Sequence, residues 1–122
     1  MSKICPCGSG LSFSDCCEPF LLKTQNAPTA EALMRSRYTA YVMQNADYLI
    51  ETTAEATRKF HKKADILNWS KNSNWIRLEI LFSSETIVEF KAFYFEKLQL
   101  KIHHERSKFV NETGKWFYLE HE

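Results

Sequence analysis

The sequence predicts an α+β domain, with N-terminal helices packed on an antiparallel sheet and a metal knuckle at its start. Three observations predict it. All four cysteines fall within residues 5–17. Apolar residues recur at helical spacing as far as Lys71. From Trp75 onward the period drops to two. Helices that come first in the chain must then cover one face of the sheet formed by the strands that follow.

The cysteine segment reads Cys5-Pro6-Cys7-Gly8-Ser9-Gly10, then Cys16-Cys17, a spacing of C-x-C-x8-C-C. Three readings compete for it. Four thiolates can complete a tetrahedral zinc shell with Zn–S bonds of about 2.3 Å. Pro6 fixes its own φ and removes a donor, while Gly8 and Gly10 permit the positive φ of a tight knuckle. A disulfide pair is the second reading, and nothing in the sequence signals an oxidising compartment. Free or redox-active thiols are the third, and no C-x-x-C pair supports them. Spacing, glycines and isolation agree on one structural Zn²⁺ per chain, held by Cys5, Cys7, Cys16 and Cys17. Such a shell leaves no open position for water or substrate, so its expected work is to fold a short segment.

The chain divides into a knuckle, residues 1–22, and a body, residues 23–122. Phe13, Phe20, Leu21 and Leu22 are expected to pack the knuckle onto the body. Residues 23–28 read as a linker, and Pro28 disfavours helix at Ala27. Thr29 is a plausible N-cap for a helix over 30–44. Leu33, Met34, Arg37, Tyr38, Tyr41 and Val42 form its stripe, with Glu31 in the first turn where the dipole favours an acid. Arg37 stands inside that stripe, either as a stem with a solvated or ion-paired guanidinium or as an anion holder at a pocket mouth. Asn45 can cap a second helix over 46–54, residues 55–60 read as a connector, and 64–71 as a third short helix. Four strands follow. Ile76, Leu78, Ile80 and Phe82 are the predicted apolar face of the first, and Val88, Phe90, Ala92 and Tyr94 that of the second. Leu98, Leu100, Ile102 and His104 form that of the third. Asn111 to Gly114 is the clearest hairpin turn, and Lys115 to Glu120 the last strand.

CPCGSG-x5-CC resembles the SEC-C motif, a small zinc-binding element that reads C-x-C-x8-C-[C/H]. The order of helices and strands is similar to the nuclear-transport-factor-2-like fold, a cone in which an N-terminal helix lies in a curved sheet. The segments Ala27 to Tyr41 and His104 to Val110, and more weakly Trp75-x6-Phe82, resemble the bacterial YchJ-like family. That family joins an N-terminal SEC-C motif to such a cone. The resemblance implies zinc binding and brings no settled reaction. Longer relatives carry a second SEC-C motif; no second cysteine cluster occurs in these 122 residues, so a single-knuckle role is expected. The SEC-C likeness also implies a docking surface for a protein or ribosome-associated partner, with Lys3, Leu11, Ser12 and Phe13 as exposed candidates.

The formal charge of +1 moves to about −1 with four thiolates around Zn²⁺. Neither value suggests a general nucleic-acid surface. No apolar run reaches the length of a membrane span, and the N-terminus lacks an apolar core of a signal peptide, so a cytoplasmic location is expected. The cone fold often encloses a pocket, and several relatives of the fold are isomerases, dehydratases or cyclases. The pocket candidates are Arg35, Arg37, Tyr38, Tyr41, Trp69, Trp75, His103, His104, Glu105 and Arg106, with Arg37, Tyr38, Tyr41 and His104 in front. Alternation puts His104 inward and His103 outward. Glu105 and Arg106 fall on opposite faces, and no carboxylate is placed inward, which weakens an enzyme reading. The leading expectation is an interaction module acting through the knuckle. A small enzyme or a small-ligand carrier using the cone pocket is the alternative.

Overall fold

In the computed structural model, residues 3–122 are described. A 3-10 turn (Phe13–Asp15) lies within the cysteine segment, just before Cys16, and a four-residue helix, α1 (Glu18–Leu21), leads out of it. The long helix α2 (Ala30–Val42) starts where Thr29 accepts a hydrogen bond from the Ala32 amide, the side-chain cap expected there. It ends where Gln44 turns left-handed (φ 59°) and the Asn45 amide reaches back 2.8 Å to the Ala40 carbonyl. That is a Schellman closure with glutamine in the place glycine usually takes. The Asn45 side chain then caps α3 (Ala46–Glu51) through the Tyr48 amide.

Residues 55–60, expected as a plain connector, hold a short helix, α4 (Glu55–Arg58), before α5 (Lys63–Asn72). Four strands complete the chain: β1 (Asn74–Ser83), β2 (Ile87–Glu96), β3 (Gln99–Glu112) and β4 (Lys115–His121). They pair antiparallel in the order β1-β2-β3-β4, the expected meander. The backbone of Thr52–Ala54 adds to the β4 edge in parallel sense. The Tyr118 amide donates to the Thr52 carbonyl (2.7 Å) and the Ala54 amide to the Tyr118 carbonyl (2.8 Å). This pairing satisfies an edge that would otherwise carry open amides and carbonyls, and it fixes where α4 begins.

The concave face of the sheet packs on α2. Val88, Phe90, Ala92 and Tyr94 are buried in alternation along β2, as expected, with Leu33, Met34 and Tyr38 of α2 against them. Two expectations of strand phase are corrected. In β1 the register shifts between Trp75 and Arg77 and again between Ile80 and Phe82. Each such bulge advances the facing of side chains. Trp75 and Leu78 therefore face the helices, while Ile76 and Phe82 are exposed. In β3 the apolar set Leu98, Leu100 and Ile102 does not face inward. Ala92 pairs with His103 and Phe93 with Ile102. The buried residues of β2 thus carry His103, Glu105 and Ser107 inward and leave His104 outside. Leu100 and Ile102 pair with Phe95 and Phe93 on the outer face of the sheet, where apolar alternation does not mean burial.

The cysteine segment is not a loose appendage. Cys5, Cys7 and Cys17 share one buried cluster with Leu21, Ala40, Tyr48 and Leu49, so α2 and α3 form the floor under the sulfurs. Phe20 packs against this cluster and against the sheet core, joining the two. Leu22, expected to pack, is exposed. Among the described residues no helix is long and apolar enough to cross a membrane.

Candidate functional site

Two constructions stand out: a cluster of four sulfurs beneath α2, and a cleft between α2, α5 and the concave face of the sheet.

The sulfur cluster starts from a small hairpin. The Cys5 amide donates to the Leu11 carbonyl (2.9 Å) and Phe13 to Lys3 (2.7 Å), closing a loop around the two glycines. Gly8 sits at φ 83°, and a Cβ there would lie 3.3 Å from the Leu78 carbonyl of β1. Glycine is required at that point by both conformation and approach. The loop is pinned to α2 by Arg35, whose Nη1 donates to the Cys7 carbonyl (2.8 Å) while its Nε donates to Glu31 (3.0 Å). Arg35 is thus a strut of the knuckle and not a pocket residue.

The sulfurs of Cys5, Cys7, Cys16 and Cys17 all lie within 4.8 Å of one another. Cys7–Cys16 and Cys16–Cys17 are 3.6 and 3.9 Å apart. A tetrahedron built on Zn–S bonds of about 2.3 Å has edges of about 3.8 Å, so the donor set fits a four-coordinate soft ion and could bind a metal ion. None of the four is in a disulfide. The thiols also respond to each other. A hydrogen bond from Cys17 draws Cys7 down to about 4 despite burial. Cys17, the donor, is pushed up, and burial raises Cys16. Four sulfurs this close cannot all ionise unless a cation sits among them. Around them, Thr39 Oγ1 lies 3.5 Å from the Cys17 sulfur and Ser9 Oγ lies 3.2 Å from Cys16. Hydroxyls placed at thiolates steady the ligands from behind. Ile4 and Leu11 stand on the outer side of this hairpin, 73% and 54% exposed.

The cleft encloses about 280 Å³. Arg37, Tyr38 and Tyr41 line it from α2, Trp69 from α5, and Trp75, His103, Glu105 and Tyr118 from the sheet. The aromatic rings form a contiguous wall: Tyr41, Trp69, Trp75 and Tyr94 lie edge-on or tilted at centroid distances of 5.0–6.0 Å. His103 packs on Trp69 at 5.0 Å. The placement of His104 is corrected. It sits on the outer face, half exposed, with Nε2 2.7 Å from Glu89. Arg106 joins the same outer pair at 3.2 Å from Glu89.

Arg37 is 7% exposed and makes no ion pair with any described carboxylate. Its guanidinium lies 4.6 Å over the Tyr118 ring. Its hydrogen bonds among the described residues all run from Nη1, to the Leu49 carbonyl (2.9 Å), Thr52 Oγ1 (2.7 Å) and Thr53 Oγ1 (3.4 Å). Burial lowers its pKa, but a guanidinium stays charged in proteins. Nε and Nη2 have no acceptor among the described residues. Trp75, on the same wall, has a buried Nε1–H without a partner. A buried cation with two unused donor atoms in a cleft wall suits an acceptor-bearing ligand.

Glu105 overturns the expectation that no carboxylate faces inward. It accepts from His103 Nε2 (2.9 Å), from Ser107 Oγ and from Tyr118 Oη (3.3 Å). Burial pushes its carboxyl up, but the hydrogen bonds from His103 and Ser107 outweigh burial and hold it below the usual carboxylate range. Burial raises Tyr38 to about 12 and also raises Tyr41 and Tyr118, so all three phenols keep their protons. Tyr118 and His61 were missed as cleft residues, while Glu105 was a candidate whose inward facing was not assigned. His61 enters from the link between α4 and α5, packs 5.9 Å from the Tyr118 ring, and has its pKa lowered by burial.

Residues 29–121 match the family model described as YchJ, middle NTF2-like domain, and residues 1–19 match the SEC-C motif. A UPF0225 protein of Photorhabdus laumondii is 41% identical over 98% of this chain and 80% of its own length. One of Actinobacillus succinogenes is 38% identical over 98% of this chain and 82% of its own. The solution structure of a SEC-C motif containing protein from Rhodopseudomonas palustris superposes with a TM-score of 0.91 at 40% identity, covering 97% of this chain and 96% of that one. A crystal structure of a SEC-C motif containing protein from Psychrobacter arcticus gives 0.79 at 30% identity, covering 97% and 81%.

Proposed function

The chain belongs to the family of proteins that share the YchJ middle NTF2-like domain, and from that premise we propose that it is a zinc-clasped binding protein whose cone cleft takes a small planar carboxylate. Zinc is the reading that the four-sulfur geometry supports: Cys5, Cys7, Cys16 and Cys17 would hold it, and it would lock the knuckle onto α2 and α3. A closed shell of thiolates supplies no Lewis acid to a substrate, so the ligand chemistry belongs to the cleft. The observation that carries the reading is Arg37: a buried cation without a carboxylate partner, presenting unused donors beside an aromatic wall. An anion of the right size recovers what burial of the guanidinium costs. The cleft volume lies near the lower bound of about 300 Å³ for small-molecule sites, which favours a single-ring ligand.

The test compares benzoate with benzamide, equal in shape and different in charge, by tryptophan fluorescence. Trp69 and Trp75 line the cleft, and Trp116 lies apart, bonded to the Pro28 carbonyl. Saturable quenching by benzoate, with benzamide about tenfold weaker or worse, supports the reading. Equal affinities, or no saturable change, sink it.

A second reading keeps the knuckle as a docking surface for a protein or ribonucleoprotein partner. The exposed pair Ile4 and Leu11 favours it, since both are apolar and neither is needed by the core. Co-sedimentation with ribosomes that is lost in an Ile4→Ser/Leu11→Ser variant supports this reading, and absence of co-sedimentation at low salt rejects the ribosomal form of it.

A further inference from the structure

We propose that His103, oriented by Glu105, is a general base in the cleft, and that the protein abstracts a proton from carbon next to a carbonyl in a carboxylate-bearing substrate. This rests on the carboxylate reading of Arg37 given above and goes beyond it, from binding to chemistry.

The roles follow from the hydrogen bonds. Glu105 Oε2 accepts from two hydroxyls, Ser107 and Tyr118, and Oε1 faces His103 Nε2 at 2.9 Å. A carboxylate so supplied with donors is an acceptor only, so the imidazole must carry its proton on Nε2. That fixes the tautomer and leaves the lone pair on Nδ1, which has no hydrogen-bond partner among the described residues. The ring cannot drift: it is held between Trp69 at 5.0 Å and Phe90 at 6.1 Å. Glu105 is more buried than His103, with side-chain exposures of 17% and 35%. The carboxylate therefore stands behind and the imidazole in front, the order that a positioned base needs. Glu105 itself is a positioning residue. His104 has a carboxylate neighbour too, but it lies on the outer face, away from the aromatic wall.

Arg37 and the His103–Glu105 pair are held apart by Tyr118, so a substrate anchored by its carboxylate at Arg37 extends toward His103. The step is then a simple one. His103 Nδ1 takes a proton from the carbon beside the carbonyl. The C–H electron pair becomes a C=C bond, and the carbonyl π pair moves onto oxygen. Return of a proton from His103 to the same carbon completes exchange with solvent, and return to a different carbon would complete an isomerisation. No electron is gained or lost and no co-reactant is consumed.

Phenylpyruvate is the probe, since it joins a ring, a carboxylate and an acidic methylene beside a ketone. Its methylene exchange in D₂O is followed by proton NMR with the full-length protein, and its binding by calorimetry. Wild type is expected to exchange the methylene about 10²-fold faster than buffer at equal pH, with benzoate abolishing the acceleration. His103→Gln should fall to the buffer rate while still binding phenylpyruvate. Glu105→Gln should lower kcat with KM unchanged, a split that a merely structural defect would not give. His104→Gln should match wild type. Binding without acceleration in wild type overturns the base and leaves the carboxylate reading intact. Acceleration that persists in His103→Gln also overturns it. Failure to bind phenylpyruvate removes the carboxylate reading and the base with it.

Discussion

Arg37 and Glu105 face one cleft from α2 and β3 without touching, because Tyr118 stands between them. Its ring lies 4.6 Å beneath the guanidinium and its hydroxyl 3.3 Å from the carboxylate. A direct ion pair would neutralise both groups and close the site. The phenol instead supports the cation through the face of its ring and the anion through its hydroxyl, so the guanidinium remains available to a ligand. Tyr118→Phe keeps the ring and deletes one donor to Glu105, so it is expected to cost about 1 kcal/mol. Tyr118→Leu removes the support under Arg37 and opens a void in the core, so it is expected to cost about 3 kcal/mol or more. Chemical denaturation of the two variants checks this; equal losses would mean the ring does nothing for Arg37.

Glu105 gives the fold a pH dependence of known sign. Its carboxyl lies below the usual range when folded, with burial overcome by the donors His103 and Ser107. A carboxyl depressed on folding binds fewer protons in the folded state. Its contribution is complete above the unfolded value of about 4.3 and is lost as pH falls through the folded value. Acid also removes metal from thiolates, so wild type alone is ambiguous. The difference in stability between wild type and Glu105→Gln, measured from pH 7 down to about pH 3, cancels that shared effect. It is expected to shrink on acidification, and a constant difference would refute the assignment.

The layered fold and the four sulfurs were legible because each rests on a local pattern: a helical stripe, a period of two, a fixed spacing. The facing of β3 was also legible, by a route that apolarity concealed. A two-residue hairpin turn pairs even-numbered residues of one strand with odd-numbered residues of the next. With Val88, Phe90, Ala92 and Tyr94 inward, His103 and Glu105 had to be inward too, and His104 outward. Leu98, Leu100 and Ile102 suggested the reverse only because exposed apolar residues look the same in sequence as buried ones. The bulges of β1 and the pairing of Thr52–Ala54 with β4 had no such signal. They depend on curvature and on an edge formed by a strand far away in the chain. Arg37 was singled out correctly as anomalous in its stripe, yet neither its depth nor its partners, the Leu49 carbonyl on α3 and the hydroxyls of Thr52 and Thr53 after it, could be read from α2 alone.

The β2–β3 turn carries strain that can be relieved. Lys97 and Leu98 both have positive φ, 51° and 68°, the conformation of a type I′ turn, and the Leu98 side chain is 98% exposed. Leucine gains nothing from burial there and bears the left-handed penalty of about 1–2 kcal/mol. Lys97→Asn/Leu98→Gly places the preferred pair in the turn. A gain of about 1 kcal/mol is expected, seen as a higher midpoint in urea at unchanged slope. A lower midpoint would show that the wild-type side chains support the turn in a way their exposure does not reveal.

Gly8 and Gly10 separate backbone conformation from close approach. Both are left-handed, at φ 83° and 87°, but only Gly8 has a neighbour in the way, the Leu78 carbonyl at 3.3 Å from an added Cβ. Gly10→Ala is therefore expected to cost about 1 kcal/mol, the conformational term alone. Gly8→Ala should cost more, because the knuckle must also move off β1. The thermal midpoints of the two metal-loaded variants decide it, and equal shifts would mean that the knuckle is not seated on β1 as described.

Metal removal tests whether the clasp is independent of the body. Cys5, Cys7 and Cys17 are packed with Leu21, Ala40, Tyr48 and Leu49, and the Arg35 strut ties the loop to α2. Without a cation the four sulfurs cannot all stay ionised at these distances, and the loop must open or protonate. Opening it would uncover Ala40 and Leu49, which belong to α2 and α3. Those helices also position Arg37 and its partners, the Leu49 carbonyl and Thr52. Chelation is therefore expected to lower the midpoint of the whole domain in one transition, not to melt the knuckle alone. All three tryptophans lie in the body, so their fluorescence reports this directly. A metal-free protein whose tryptophan melting curve is unchanged, while elemental analysis confirms that the ion has left, would show the clasp to be dispensable to the cleft.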